Sequence, residues 1–225
     1  QQQRFTKEQV AQTKERLGIE GPFILHLGTL QPRKNLVRLI EAFEKLSRRI
    51  ASQEIVEEEQ ERRTQLSDFA GLQLVLAGKP GWLTDALERR LEQSPFKDRI
   101  IQTGFITAES KEILLRDAET LAMIGLSEGF GIPAIEAINR NTIPVIADNS
   151  SLPEAIGPGG IHVNPLDTNS IADGLERALL MTVRDEREML AAGKEHIESF
   201  SWEESAESLL SLLKRQAHEV VNTDL

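Results

Sequence analysis

The chain has no cysteine. That excludes a disulfide framework and any thiolate metal site, and it is compatible with a reducing, cytoplasmic location. Positive charge is in deficit: 26 Lys and Arg stand against 36 Asp and Glu, a formal net charge of −10. Broad nucleic-acid binding needs the opposite balance, so no nucleic-acid partner is expected, although a small basic pocket for a phosphate group stays compatible. No apolar run approaches the ~18–20 residues that a membrane span requires. The opening Gln1-Gln2-Gln3-Arg4-Phe5 resembles no secretory signal, and a chain that starts on Gln reads as a fragment or processed product. No His, Asp and Glu spacing suits a metal, and no Gly-x-Ser-x-Gly or Cys–His arrangement suggests a covalent nucleophile. Neither a metal nor a cofactor is therefore expected. Internal repeats and low-complexity tracts are missing too, and the sequon Asn149-Ser150-Ser151 reads as a chance match in a polar loop.

What is present is an alternation. The 225 residues are 40% hydrophobic, enough for one sizeable α/β domain. Lys7 to Leu17 reads as a short helix, and Gly21-Pro22 breaks it. The apolar runs Phe23–Leu27, Leu72–Ala77, Arg99–Thr103, Leu121–Leu126, Ile143–Ala147 and Ile161–Val163 read as buried strands. Between them lie helical patterns: Leu36, Leu39, Ile40, Phe43 and Leu46 at three- and four-residue intervals, then Leu83–Leu91, Ser110–Asp117 and Pro133–Asn139. Further helices follow from Ser170, Arg184 and Ser201. Repeated strand–helix units predict an α/β, Rossmann-like doubly wound parallel sheet with helices on both faces. Ligands of such sheets sit at the carboxyl ends of the strands. The acidic stretch 51–70 interrupts the order and reads as a solvated helix extension or an insertion, with a partner-docking element as the alternative.

Two post-strand segments carry the chemistry. The first is Gly28-Thr29-Leu30-Gln31-Pro32-Arg33-Lys34-Asn35. Gly28 lets backbone N–H groups approach a ligand, and Arg33 and Lys34 add positive charge at a strand–helix junction, where helix N-termini already attract anions. The pair reads as a diphosphate site or as an exposed basic pair. The second is Glu128-Gly129-Phe130-Gly131-Ile132-Pro133-Ala134-Ile135-Glu136. Its two carboxylates suit the vicinal hydroxyls of a sugar or ribose if both face one crevice; alternatively Glu136 only complements the helix dipole. A dinucleotide fingerprint is also formally present as Gly129-x-Gly131-x-x-Ala134, with Asp148 ending the next strand. Against it stands Glu128, whose charge would lie beside a pyrophosphate. Lys79 reads as a plain turn residue or a phosphate contact, Gly104-Phe105-Ile106 as a base pocket or a helix start, and Ser150-Ser151-Leu152 as a capped helix start. His26 reads as a satisfied core histidine on a strand that ends near the site.

Together these segments resemble the C-terminal domain of glycosyltransferase family 4, one half of a GT-B architecture. The likeness runs from Phe23 to the tail and includes Leu76-Ala77-Gly78, Thr103-Gly104-Phe105 and Phe200-Ser201-Trp202-Glu203. It implies an N-terminal helix or linker at 1–20, a nucleotide-sugar-binding domain at 21–200 with the 51–70 insertion, and a crossover helix at 201–225. It also implies a missing N-terminal acceptor-binding domain. Arg33 and Lys34 would clamp the diphosphate of a GDP- or UDP-hexose. Glu128 and the backbone N–H groups of Phe130 and Gly131 would hold the sugar and its phosphate, with Gly28, Thr29 and Ile132 completing the donor site. Glu136 would bind the ribose and Ile106 the base. The implied reaction is metal-free, retaining transfer of a hexose, mannose by the style of the first motif, in polysaccharide synthesis, and it allows peripheral membrane association of the full-length enzyme. Departures from the family pattern are Thr29 where Arg is frequent, Ile124-Gly125 where Pro-Ser is common, and Asn141 where Gly is common.

Overall fold

A computed structural model describes residues 5–52 and 66–223, with the side chains of the last helix described as far as 215. The acidic stretch expected as an insertion therefore lies mostly outside the described residues. Six strands form one parallel sheet: β1 (Phe23–Leu27), β2 (Gln73–Ala77), β3 (Ile100–Gly104), β4 (Thr120–Met123), β5 (Pro144–Ala147) and β6 (Ile161–Val163). Their order is β3-β2-β1-β4-β5-β6. Every residue of β1, β2, β4 and β5 is buried, which explains why these strands read as unbroken apolar runs rather than as alternating ones.

Around the sheet lie α1 (Lys7–Leu17), α2 (Leu36–Ala51), α3 (Asp85–Gln93), α4 (Ala108–Asp117), α5 (Ile132–Asn139), α6 (Leu152–Ile156), α7 (Thr168–Leu179), α8 (Val183–Glu198) and α9 (Trp202–Thr223). On one face α2 packs against α3 and α7. On the other, α4, α5, α6 and α8 contact one another in succession, and α1 leans on α4. The doubly wound expectation holds, and it follows from right-handed crossovers running outward in both directions from β1 and β4.

Element ends depart from the expected ones by one to three residues, and two of the shifts have a physical cause in the neighbouring loops. β4 stops at Met123 rather than at Leu126, because Ile124 and Gly125 leave the sheet to build a loop described below. α4 starts at Ala108 because Thr107 caps it, its hydroxyl accepting from the Ser110 N–H. The serines before α6 make no side-chain cap bond; their hydroxyls are committed elsewhere.

Between β1 and β4 the chain winds outward in opposite directions, so the loops after these two strands splay apart and leave a crevice. That switch point positions the candidate site.

Candidate functional site

The loop after β1 is fastened before it reaches its cations. Gly28 N donates to Ala77 O (3.0 Å) and Leu30 N to Lys79 O (2.9 Å), continuing the β1–β2 ladder past the sheet. A 3₁₀ turn at Pro32–Lys34 follows, with proline in its first turn. Asn35 then takes a left-handed conformation (φ 60°, ψ 31°), which asparagine tolerates better than most residues. Its buried amide donates to Ile124 O (3.1 Å) and Pro165 O (2.7 Å), and its oxygen accepts from Arg38 (3.0 Å). One side chain thereby ties the β1 loop to the ends of β4 and β6. Leu126 N adds a bond to Arg33 O (2.7 Å).

On this frame Lys34 Nζ meets both oxygens of Glu128 at 2.7 and 2.8 Å. Arg33 Nη1 donates to Glu128 Oε2 (3.1 Å) and Ser127 O (2.7 Å). Lys34 and Glu128 are nearly enclosed, with side chains 9% and 7% exposed, whereas Arg33 is 47% exposed. Two cations against one carboxylate leave a positive surplus in a partly dry crevice, which suits an anion. Gly125 makes the seat for the carboxylate: a Cβ there would stand 2.6 Å from Glu128 Oε1. From the far side, Ser150 Oγ accepts from Glu128 N (3.0 Å) and donates to Glu128 O (2.7 Å), joined by Ser151 Oγ (3.0 Å). The two hydroxyls expected to start a helix anchor the Glu128 backbone instead.

Beyond Glu128, Gly131 opens α5 with φ 90°, a left-handed conformation that favours glycine, and Leu152 fills the space a Cβ would need. The Phe130 ring packs edge-on against Phe200 at 5.4 Å, just before α9. Thr29 and Ile132 are exposed and Ile106 is half-buried against the core. Glu136 lies on α5, where its carboxylate takes Lys111 Nζ of α4 at 2.6 Å; no described contact joins it to Glu128. Lys79 Nζ lies over the Phe105 ring at 4.9 Å. No group of three or more His, Asp or Glu among the described residues could hold a metal ion, and no described helix is long and apolar enough to cross a membrane.

His26 lies beneath the site and is fully buried. Its Nδ1 is 3.0 Å from Ala122 O; a carbonyl only accepts, so Nδ1 carries the proton and Nε2 presents a lone pair. Burial pushes its pKa from 6.5 down to about 4, opposed by the bond to Ala122, with Lys34 lowering it further and Glu128 raising it. The unfolded chain therefore binds the proton first. The stability this neutral ring confers is complete above about 6.5 and drains as pH falls through 4, at up to about 1.4 kcal/mol per pH unit. Urea unfolding at pH 6.5, 5.5 and 4.5 should show a shallower loss for His26→Phe than for the wild type; equal slopes would refute the buried neutral ring.

Four features escaped sequence reasoning: the Asn35 clamp, the Gly125 seat, the backbone-holding serines and the orphan nitrogen of His26. Only Asn35, a turn-former directly before a helical pattern, carried a local signal.

Residues 9–196 match the family model described as glycosyl transferases group 1. The chain is 29% identical over 205 residues to O-antigen chain mannosyltransferase B of Escherichia coli, covering 89% of this chain and 48% of that protein. It is 32% identical over 149 residues to the MMP alpha-(1->4)-mannosyltransferase of Mycolicibacterium hassiacum, covering 64% of this chain and 35% of that protein. Thus it spans about half the length of such relatives, or less. Among solved structures, Anabaena HepE in complex with UDP and glucose matches with TM-score 0.70 at 16% identity, over 92% of this chain and 53% of that one. An alpha,alpha-trehalose 6-phosphate synthase of Burkholderia multivorans matches with TM-score 0.74 at 16% identity, over 98% and 47%. Identities this low speak for the fold alone.

Proposed function

The chain belongs to the group 1 glycosyl transferases, and from that premise we propose that it is the donor-binding half of a retaining, family 4 enzyme that moves a hexose from a nucleotide-diphospho-sugar to a glycan or lipid-linked acceptor. The observation that carries this is the meeting of Arg33, Lys34 and Glu128 at the switch point. Mannose is the sugar we favour, since several relatives are named mannosyltransferases. In this reading residues 21–200 hold the donor, and 1–20 and 201–225 lead toward an acceptor-binding half.

The chemistry follows from charge. A diphosphate entering the crevice competes with the Glu128 carboxylate for Lys34 and Arg33, and the N-terminus of α5 offers further N–H donors. As the bond between the sugar's anomeric carbon and the phosphate oxygen breaks, negative charge grows on that oxygen, where the fixed cations stabilise it. Glu128, released from part of its pairing, accepts from sugar hydroxyls. The acceptor oxygen bonds the anomeric carbon on the face the phosphate leaves, and its proton passes to the leaving phosphate oxygen. Gly28 and Thr29 flank the phosphates, Phe130, Gly131 and Ile132 line the sugar side, Glu136 reaches the ribose by releasing Lys111, and Ile106 meets the base.

The dinucleotide alternative is poorly supported, because Gly129-x-Gly131-x-x-Ala134 follows β4 rather than β1 and sits against the enclosed Glu128 carboxylate. Calorimetric titration should show UDP or GDP binding and silence with NADH; the reverse pattern sinks the proposal. This chain alone should transfer sugar at a negligible rate, since the acceptor is positioned across an interdomain cleft. Rapid transfer by the isolated chain would show that no second half is required.

A further inference from the structure

His26 Nε2 is fully buried and accepts no hydrogen bond from any described group. Buried polar atoms without partners are rare in native proteins and call for a reason. Packing supplies none here, because an apolar ring of similar size fills the same space without leaving a lone pair unmet. The position of Nε2 is informative. A Cβ built on Gly28 would lie 3.4 Å from Lys34 Cε, 3.6 Å from Lys34 Nζ and 3.9 Å from His26 Nε2. His26 Nε2 and the lysine ammonium thus border one small space at the carboxyl end of β1. Lys34 spends N–H groups on the two oxygens of Glu128, and an ammonium has three to give.

We propose that His26 is a positioning residue for Lys34: its Nε2 lone pair takes the third ammonium N–H and keeps the charge at the switch point when a diphosphate draws Lys34 away from Glu128. The proposal rests on the donor-site reading for its ligand, while the nearness of the Lys34 ammonium to the ring is testable without one. The Nδ1 bond to Ala122 O locks the tautomer that makes Nε2 an acceptor. The charged groups acting on the ring are Lys34, from the turn after β1, and Glu128, from the loop after β4. A protonated ring would repel Lys34, so burial, by keeping the imidazole neutral at physiological pH, serves the pairing.

The ligand-free test is an NMR titration of the imidazole in the whole chain and in Lys34→Met. Removing the ammonium should move the titration midpoint up and shift the Nε2 resonance; an unmoved midpoint and resonance put Lys34 out of reach of the ring and overturn the positioning role. The second arm measures Kd for UDP, GDP and inorganic pyrophosphate with His26→Phe and His26→Gln. His26→Phe should bind about tenfold more weakly, the equivalent of one modest hydrogen bond to a charged group. His26→Gln, which retains an acceptor, should recover part of the loss, and urea midpoints near neutral pH identify any variant that is merely unstable. Equal affinity of a stable His26→Phe and the wild type overturns the positioning role. A wild-type chain that binds none of the three probes sinks the donor-site reading, and the ligand-free arm still decides whether the Lys34 ammonium acts on the ring.

Discussion

Lys34→Ala should weaken UDP or GDP binding by about a hundredfold and, in a chain joined to the proposed acceptor-binding half, cut sugar transfer by roughly 10²–10³-fold. The size of the effect follows from enclosure. Lys34 is 9% exposed at its side chain, so little water screens its charge. The same substitution strands Glu128 on Arg33 alone. Breaking a buried ion pair by removing one partner costs about 3–5 kcal/mol, and the surviving Arg33 bond places this case at the low end. At roughly 2–4 °C per kcal/mol for a chain of this size, Tm should fall by about 6–12 °C. The double variant Lys34→Met/Glu128→Leu separates the two effects. It removes both charges together, so it should recover stability while leaving diphosphate binding lost. A stable Lys34→Ala protein with undiminished affinity for either nucleotide would remove Lys34 from the site.

Gly78→Ala is the second large effect, and it acts on the fold first. The added Cβ would stand 1.9 Å from Gly28 O and 2.6 Å from Gly28 C. Both are backbone atoms, so no rotamer change relieves the clash and the ends of β1 and β2 must part. We expect a loss of about 3 kcal/mol or more, at the upper end for overpacking. The parting also strains the bonds Gly28 N–Ala77 O and Leu30 N–Lys79 O, from which the Arg33–Lys34 turn hangs. Gly129→Ala is the control, with nothing within 4 Å of its new Cβ; it should stay within about 0.5 kcal/mol of the wild type. Thermal and urea unfolding of the pair checks this, and a Gly78→Ala protein as stable as Gly129→Ala contradicts the close approach.

Where turn residues and caps flank a pattern, its bounds are easily read. The bounds of α1, β1 and β6 fall where the apolar pattern and its flanking breakers put them. The doubly wound class followed from the alternation, and Arg33, Lys34 and Glu128 were singled out because each lies just past a buried strand. What local pattern cannot carry is which loops meet. Ser150 and Ser151 have the side chains of a helix cap, but Glu128, some 22 residues away, competes for them and wins. Glu136 is spaced to share a crevice with Glu128, yet the neighbour that claims its carboxylate is Lys111, from a helix whose approach depends on the crossover from β3 to β4. His26 was half legible: its burial follows from its strand, whereas the one-sided satisfaction of its ring depends on Ala122 across the sheet.

Because the Asn35 amide grips carbonyls on two other loops, the turn bearing Arg33 and Lys34 is fastened to two neighbouring strand ends. Phe105, Trp82 and Ile132, in contrast, stand exposed. A change at Asn35 would therefore loosen three loops at once, whereas one at an exposed position would leave those bonds in place.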